Sequence, residues 1–257
     1  MFKVTTDFNY DNAYHFANIA EDTYSNEYYF RKIYSNCGYK NIAFFNRDGA
    51  QAYALANDDY VVIAFRGTEA SSCNDIAADF KLFPVKDELG LPGRVHRGFL
   101  KEVNDLWDEI LEWLSIHNSL QNQVYTCGHS LGAAMSGIAA SRIENAICYN
   151  FGCPRIGNAS WKKSYNNSSR KFYRFRNDMD IVTTLPLRLM TYRHIGKFYH
   201  IQYNGTIVET PTHWQEFKHF FSSLVRQRCC YSVEILNDHR IEQYCEGIQN
   251  WSNQTKC

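Results

Sequence analysis

Apolar positions change their period several times along the chain, and each change predicts an element. Ala13, Phe16, Ala17, Ala20 and Tyr24 recur at helical intervals and predict a helix packed by one face within residues 10–33. Ala43-Phe-Phe, Gln51-Ala-Tyr-Ala-Leu-Ala56 and Tyr60-Val-Val-Ile-Ala-Phe65 read as strands, the last two joined through Asn57-Asp-Asp59. Residues 84–93 read as loop, with Leu91-Pro-Gly93 as a turn. Val103, Leu106, Trp107, Ile110, Leu111 and Leu114 predict an amphipathic helix over residues 99–117. Val124-Tyr-Thr-Cys127 and Ala146-Ile-Cys-Tyr-Asn-Phe151 read as buried strands on either side of a small-residue helix, Ala133-Ala-Met-Ser-Gly-Ile-Ala-Ala140. A polar stretch over residues 162–170 leads into another strand, Lys171-Phe-Tyr-Arg-Phe-Arg176. Tyr199-His-Ile-Gln-Tyr203 and Thr206-Ile-Val208 flank Asn204-Gly205, a hairpin signal. Trp214, Phe217, Phe220, Phe221, Leu224 and Val225 predict a last long helix.

Strands alternating with helices in the middle of the chain imply an α/β fold, with a mostly parallel central sheet, flanking helices and antiparallel hairpins at its edges. With no internal repeat and no linker composition, residues 1–257 read as one domain.

The stretch Tyr125-Thr-Cys-Gly-His-Ser-Leu-Gly-Ala-Ala134 carries the chemistry. Gly128, Ser130 and Gly132 form G-x-S-x-G between a strand and a helix, the context of a nucleophile elbow. The chain turns abruptly with Ser130 at the apex, and side chains two residues to either side would collide with neighbouring backbone. The helix beginning there aims its first N–H groups at the same spot, where a developing oxyanion can be held.

Composition adds mostly exclusions. Hydrophobic residues make up 45% and aromatics 16%, enough for a sizeable core. Lys+Arg and Asp+Glu are balanced at 27 each, so no overall field collects nucleic acid, although residues 162–176 interleave basic and aromatic side chains. No apolar run reaches membrane-spanning length and Met1-Phe-Lys-Val-Thr-Thr has no signal-peptide h-region. Nine cysteines without C-x-x-C spacing imply no disulfide framework and a reducing cytoplasm, with Cys127 and Cys148 as small core residues. Sequons such as Asn166-Asn-Ser are read as chance in an asparagine-rich chain. Cys229, Cys230, His239 and Cys245 lack paired zinc-ligand spacing, and no metal or cofactor is expected.

A serine needs a base, and the base needs a carboxylate. In elbow hydrolases these follow in the order Ser, Asp/Glu, His. Asp180, after the strand ending at Arg176, is the best-placed acid, yet Asp178 is two residues away and spacing does not choose between them. Histidines 194, 200, 213, 219 and 239 all follow. His239, in the polar Asn237-Asp-His-Arg240, suits an exposed base, whereas His200, His213 and His219 read as structural. His129 is expected to point away from the serine, and Arg66 and Arg155 to be held structurally.

Further passages match one family in order. Phe65-Arg-Gly-Thr68 with Asp79, His96-Arg-Gly-Phe99, Gly128-His-Ser-Leu-Gly132, Phe151-Gly-Cys-Pro-Arg-Ile-Gly-Asn158, Asn177-Asp-Met-Asp-Ile-Val182 with Leu185-Pro186, and Asp238-His239 run across roughly residues 60–244. The chain resembles the class 3 lipases, the fungal-lipase-like branch of the α/β-hydrolases. That resemblance implies Asp180 as the acid, His239 as the base, and backbone N–H groups of Thr68 and Leu131 as the oxyanion hole. It implies a serine carboxylic-ester hydrolase acting on lipid or small acyl esters, with transient contact at a lipid surface. The alternatives are a phospholipase A1 or galactolipase, or a non-catalytic lipase-like binding module. Thr183-Thr184 stands where the family usually carries proline, and the usual tryptophan before Asp79 is missing. The family's lid would fall on residues 70–78, where Ile76 is the one large apolar residue, and so few apolar groups favour action on soluble esters.

Overall fold

Two asparagines decide how the chain begins. In a computed structural model that describes residues 4–67, 83–118, 122–210 and 237–255, Asn9 caps α1 (Tyr10–Asp22) and Asn26 caps α2 (Glu27–Asn36). Each asparagine oxygen accepts a backbone N–H of the first turn, from Asn12 at 2.7 Å and from Tyr29 at 3.0 Å. One helix was expected within residues 10–33. Asn26 favours the cap over the helix interior and restarts the chain as a second helix.

The central sheet has eight strands in the order β1-β2-β3-β6-β7-β9-β11-β12. β1 (Asn41–Arg47), β2 (Ala50–Ala56) and β3 (Tyr60–Phe65) form an antiparallel meander at one edge. β3 then pairs in parallel with β6 (Gln123–His129), followed by β7 (Ile147–Phe151), β9 (Lys171–Asn177) and β11 (Lys197–Ile201). β12 (Ile207–Glu209) closes the other edge antiparallel to β11, as the Asn-Gly signal predicted.

Alternate residues of each strand feed opposite layers, because successive strand side chains point to opposite faces. Ile63, Phe65, Cys148 and Phe172 pack under α3 (Arg97–His117) and α4 (Leu131–Arg142). Val62, Tyr125, Tyr149 and Tyr173 pack with α1, α2 and α6 (Ile241–Thr255). Strands buried on both faces read as continuous apolar runs, which is how β3 and β7 appear in the sequence. Cys127 and Cys148 are fully buried core residues, as expected.

Other expectations needed correction. Residues 84–93 are not all loop: Pro84–Lys86 is β4, in a second, antiparallel sheet of order β10-β8-β5-β4 with Arg94–His96 (β5), Gly157–Asn158 (β8) and Tyr192–Arg193 (β10). Strands this short owe their existence to long-range pairing and leave no local period. The polar run over residues 162–170 overlaps α5 (Ala159–Asn166), held down by buried Trp161 and Tyr165 one turn apart. The last predicted helix, with Trp214 and Phe217, lies outside the described residues, as do Asp79 and the lid stretch over residues 70–78.

Candidate active site

Ser130 sits between β6 and α4 with φ 57° and ψ −124°, a strained conformation for any side-chain-bearing residue. The flanking glycines make it achievable. A Cβ on Gly128 would lie 2.4 Å from the carbonyl of Gly132, and one on Gly132 would lie 2.2 Å from the carbonyl oxygen of Phe65. The sharp turn therefore rests on β6, α4 and the end of β3 touching at backbone level. Ser130 N–H donates to Phe151 O at 3.0 Å, which ties the apex to β7.

The structure brings the three predicted side chains together. His239 Nε2 lies 2.8 Å from Ser130 Oγ, and Nδ1 lies 2.9 Å from Asp180 Oδ2. A carboxylate only accepts, so Nδ1 carries the proton and Nε2 is free to accept from the serine hydroxyl. Asp180 has no solvent exposure and accepts further bonds from Val182 N–H at 2.9 Å and Tyr244 O–H at 2.5 Å. Burial works to raise its pKa, but His239 and the hydrogen bonds from His239 and Tyr244 outweigh burial and hold it below the ordinary carboxylate value. Asp180 therefore stays ionised beside the imidazole. Of the neighbouring pair, it is Asp180 whose carboxylate meets His239, while Asp178 joins the backbone of β11, its N–H donating to Ile201 O and its carbonyl accepting from His200 Nε2.

Thr183 and Thr184, in place of the family's proline, brace the turn after Asp180. Their hydroxyls donate to the carbonyls of Asp180 at 2.8 Å and Ile181 at 2.7 Å.

His239 is not the exposed base its polar neighbours suggested: it is only 3% exposed. Tertiary contacts cover it. The His129 ring lies 4.6 Å away between centroids, and Gly152 approaches so closely that a Cβ there would be 3.0 Å from His239 Cε1. Both ring nitrogens of His129 are engaged with groups other than Ser130 Oγ, in contacts the sequence did not reveal. Its Nε2 lies 2.6 Å from the carbonyl oxygen of His239 and its Nδ1 lies 2.9 Å from Tyr24 O–H. Because a carbonyl only accepts, Nε2–H donates to it and Tyr24 donates to Nδ1. Burial, then the proximity of His239, push the His129 pKa down to about 3, so the ring is neutral. The hydrogen bonds of Tyr24 and Tyr244 had no signal in spacing, since Tyr24 reaches the site from the turn after α1 and Tyr244 from α6, both distant in sequence.

His194 and His200 are structural, bonding through Nε2 to the carbonyls of Thr183 and Asp178. Arg155 is spent on carbonyls of the turn after Asp180, and Arg66 lies over the Tyr24 ring. His213, His219, Cys229 and Cys230 lie outside the described residues. Among the described residues no group of His, Cys, Asp and Glu is placed to hold a metal ion, and no helix is long and apolar enough to cross a membrane. The interleaved run over residues 162–176 is accounted for by packing, with Phe172, Arg174 and Phe175 buried in β9.

Leu131 opens α4, so its N–H is one of the first-turn donors without an intrahelical acceptor, directly beside Ser130. Thr68 lies outside the described residues. The residue before it, Gly67, closes on the elbow: a Cβ there would be 2.5 Å from His129 O and 3.4 Å from Ser130 Cβ.

Comparison with known proteins gives the family and the fold. The family described as lipase (class 3) matches residues 62–190. The chain belongs to that family. A Caenorhabditis elegans lipase is 31% identical over 144 residues, covering 52% of this chain and 40% of the relative. A secreted mono- and diacylglycerol lipase of Malassezia globosa is 31% identical over 154 residues, covering 54% of this chain and 50% of the relative. The chain thus spans about half the length of the curated relatives it matches. The Rhizomucor miehei lipase in complex with its propeptide superposes with a TM-score of 0.62 at 21% identity, over 78% of this chain and 69% of that one, and shows the shared α/β-hydrolase fold. The Malassezia relative is named as secreted, so the expected cytoplasmic setting finds no support there.

Burial of neutral histidines has a consequence for stability. His15 is pushed down to about 4 and His129 to about 3, both by burial first, from an ordinary value of 6.5. In the unfolded chain both protonate below about pH 6.5, while the native rings resist. Their contribution is therefore complete above about pH 6.5 and is lost as pH falls toward their native values, on the order of 3 kcal/mol for His15 alone. The melting temperature is expected to be steady above about pH 7 and to fall steeply between about pH 6 and pH 4, with His15→Gln flattening part of that fall. A melting temperature indifferent to pH over that range would contradict the buried neutral assignment.

Proposed function

We propose that the protein is a serine carboxylic-ester hydrolase that cleaves acyl esters of lipids through an acyl-enzyme intermediate. The observation that carries the reading is the continuous relay from Ser130 Oγ through His239 to Asp180, with contacts of 2.8 and 2.9 Å. In this reading Ser130 attacks the ester carbonyl as His239 Nε2 takes its proton. Asp180, ionised and held by Val182 and Tyr244, stabilises the imidazolium and fixes its tautomer. The Leu131 N–H, with that of Thr68 as the second donor, takes the negative charge of the tetrahedral intermediate. The imidazolium then protonates the leaving alcohol, and water, activated by the same base, releases the acid. His129 and Tyr24 hold the His239 backbone while its ring changes charge.

The family and the name of the Malassezia relative favour glycerides, in particular mono- and diacylglycerols, as the substrate class. The test is hydrolysis of a water-soluble short-chain ester and of a monoacylglycerol by the wild type and by Ser130→Ala. Wild-type turnover of both substrates, with a loss of about 10³-fold or more in kcat for the variant, is expected. Near-equal rates for the two proteins would contradict the proposal, and cleavage of phospholipid or galactolipid in preference to glyceride would redirect the substrate assignment.

A further inference from the structure

The turn that follows Asp180 ends in an exposed tip. Leu187 is 51% and Leu189 94% exposed, with the exposed Arg188 between them. Single exposed leucines are ordinary. These two stand on either side of a cation, on a turn that is rigidly braced. Residues Arg188–Met190 form a 3-10 turn, and Thr191, at φ 74°, reverses the chain into β10. Arg155 N–H donates to Leu185 O at 2.6 Å, and Arg155 Nη1 donates to the carbonyls of Thr184 and Pro186. Arg193 Nη1 holds the tip itself, donating to Arg188 O at 2.9 Å and Tyr192 O at 2.8 Å.

Carbonyl partners satisfy hydrogen-bond donors without cancelling charge. Among the described residues no carboxylate lies within ion-pair distance of Arg155, Arg176, Arg188 or Arg193. Burial, then the like charges of Arg188, Arg193 and Arg176, push Arg155 down to about 10. The chain has no net charge overall, so among the described residues this is a local excess. Such a collar calls for an anion, and the exposed leucines call for an apolar phase. A protein partner would have to supply both, whereas a lipid surface with anionic headgroups presents phosphate above acyl chain in that order.

We propose that the Leu187-Arg188-Leu189 tip docks this protein on an anionic lipid surface, the leucines entering the acyl boundary and the arginine collar meeting the headgroup phosphates. The proposal rests on the lipid-ester reading for its purpose, since the tip is carried on the same loop as Asp180 and would bring the site to the interface where its substrate lies. Its test does not depend on turnover.

The protein carrying Ser130→Ala is floated with vesicles of phosphatidylcholine alone and of phosphatidylcholine with phosphatidylglycerol. Binding is expected to require the anionic lipid and to weaken with salt. Each basic side chain near an anionic surface is worth about 1 kcal/mol, so Arg188→Glu, a change of two charges, is expected to lower partitioning by about 30-fold. Leu187→Ser with Leu189→Ser is expected to lower it by more than about tenfold. The same substitutions in the wild-type background should leave the melting temperature and kcat/KM on a water-soluble ester unchanged, which separates lost docking from lost folding. Equal binding to both vesicles, no binding to either, or undiminished binding by the tip variants would overturn the proposal. A wild type that docks as expected but fails to hydrolyse esters would overturn the functional reading and leave the docking surface standing.

Discussion

Asp180→Asn is expected to lower kcat by about 10⁴-fold, and Asp178→Asn by no more than a few-fold. The two carboxylates differ in what meets them. Asp180 accepts from His239 Nδ1, Tyr244 O–H and Val182 N–H, all donors. An asparagine of the same shape has one accepting oxygen and an NH₂ that only donates. Whichever way the amide turns, either the Val182 N–H or the His239 and Tyr244 side faces another donor. Turning the NH₂ toward His239 selects the tautomer with Nε2 protonated, which cannot take the proton of Ser130. Asp178 contributes its backbone to β11, and its φ of 29° is in a region that asparagine tolerates as well as aspartate. Steady-state kinetics on a water-soluble ester measure both, and the reverse pattern would move the acid to Asp178.

Gly132→Ala is expected to cost about 3 kcal/mol or more of folding stability and to remove activity with it. The added Cβ would be 2.2 Å from Phe65 O and 2.8 Å from the carbonyl carbons of Phe65 and Arg66. Those are backbone atoms at the exit of β3, so relief requires α4 to move away from the sheet and to carry Ser130 with it. Gly205→Ala makes the contrast. Its φ of +80° strains an alanine, but nothing lies within 4 Å of the new Cβ, and a cost of about 1 kcal/mol is expected. Denaturant unfolding of the two variants compares a packing effect with a backbone effect. If Gly132→Ala were the milder of the two, the close approach of the elbow to β3 would be wrong.

What the sequence made legible was local. β3 and β7 announce themselves as apolar runs, β9 as aromatic residues interleaved with basic ones, and the elbow as two glycines spaced around a serine between a strand and a small-residue helix. The acid was narrowed to a pair by position after β9, but only the family resemblance selected Asp180, because choosing between residues two apart depends on the exact turn at a strand end. The polar neighbours of His239 suggested exposure, and the His129 ring and the closely approaching Gly152, brought in by tertiary folding, bury it instead. α6 was missed although Ile241, Tyr244, Cys245 and Ile248 recur at helical spacing and are buried on one face. The stronger aromatic pattern from Trp214 onward drew the reading of the C-terminal third. With α6 went Tyr244, the residue that donates to Asp180. The small sheet of β4, β5, β8 and β10 had no local pattern to read.

The most direct test of the account is labelling with a fluorophosphonate, which reacts with a serine only where a base activates it and an oxyanion hole receives the charge. The account predicts a single modified peptide, containing Ser130, and no labelling of Ser130→Ala. Absence of labelling in the wild type, or labelling that survives in the variant, would contradict the claim that Ser130 is the nucleophile of this protein.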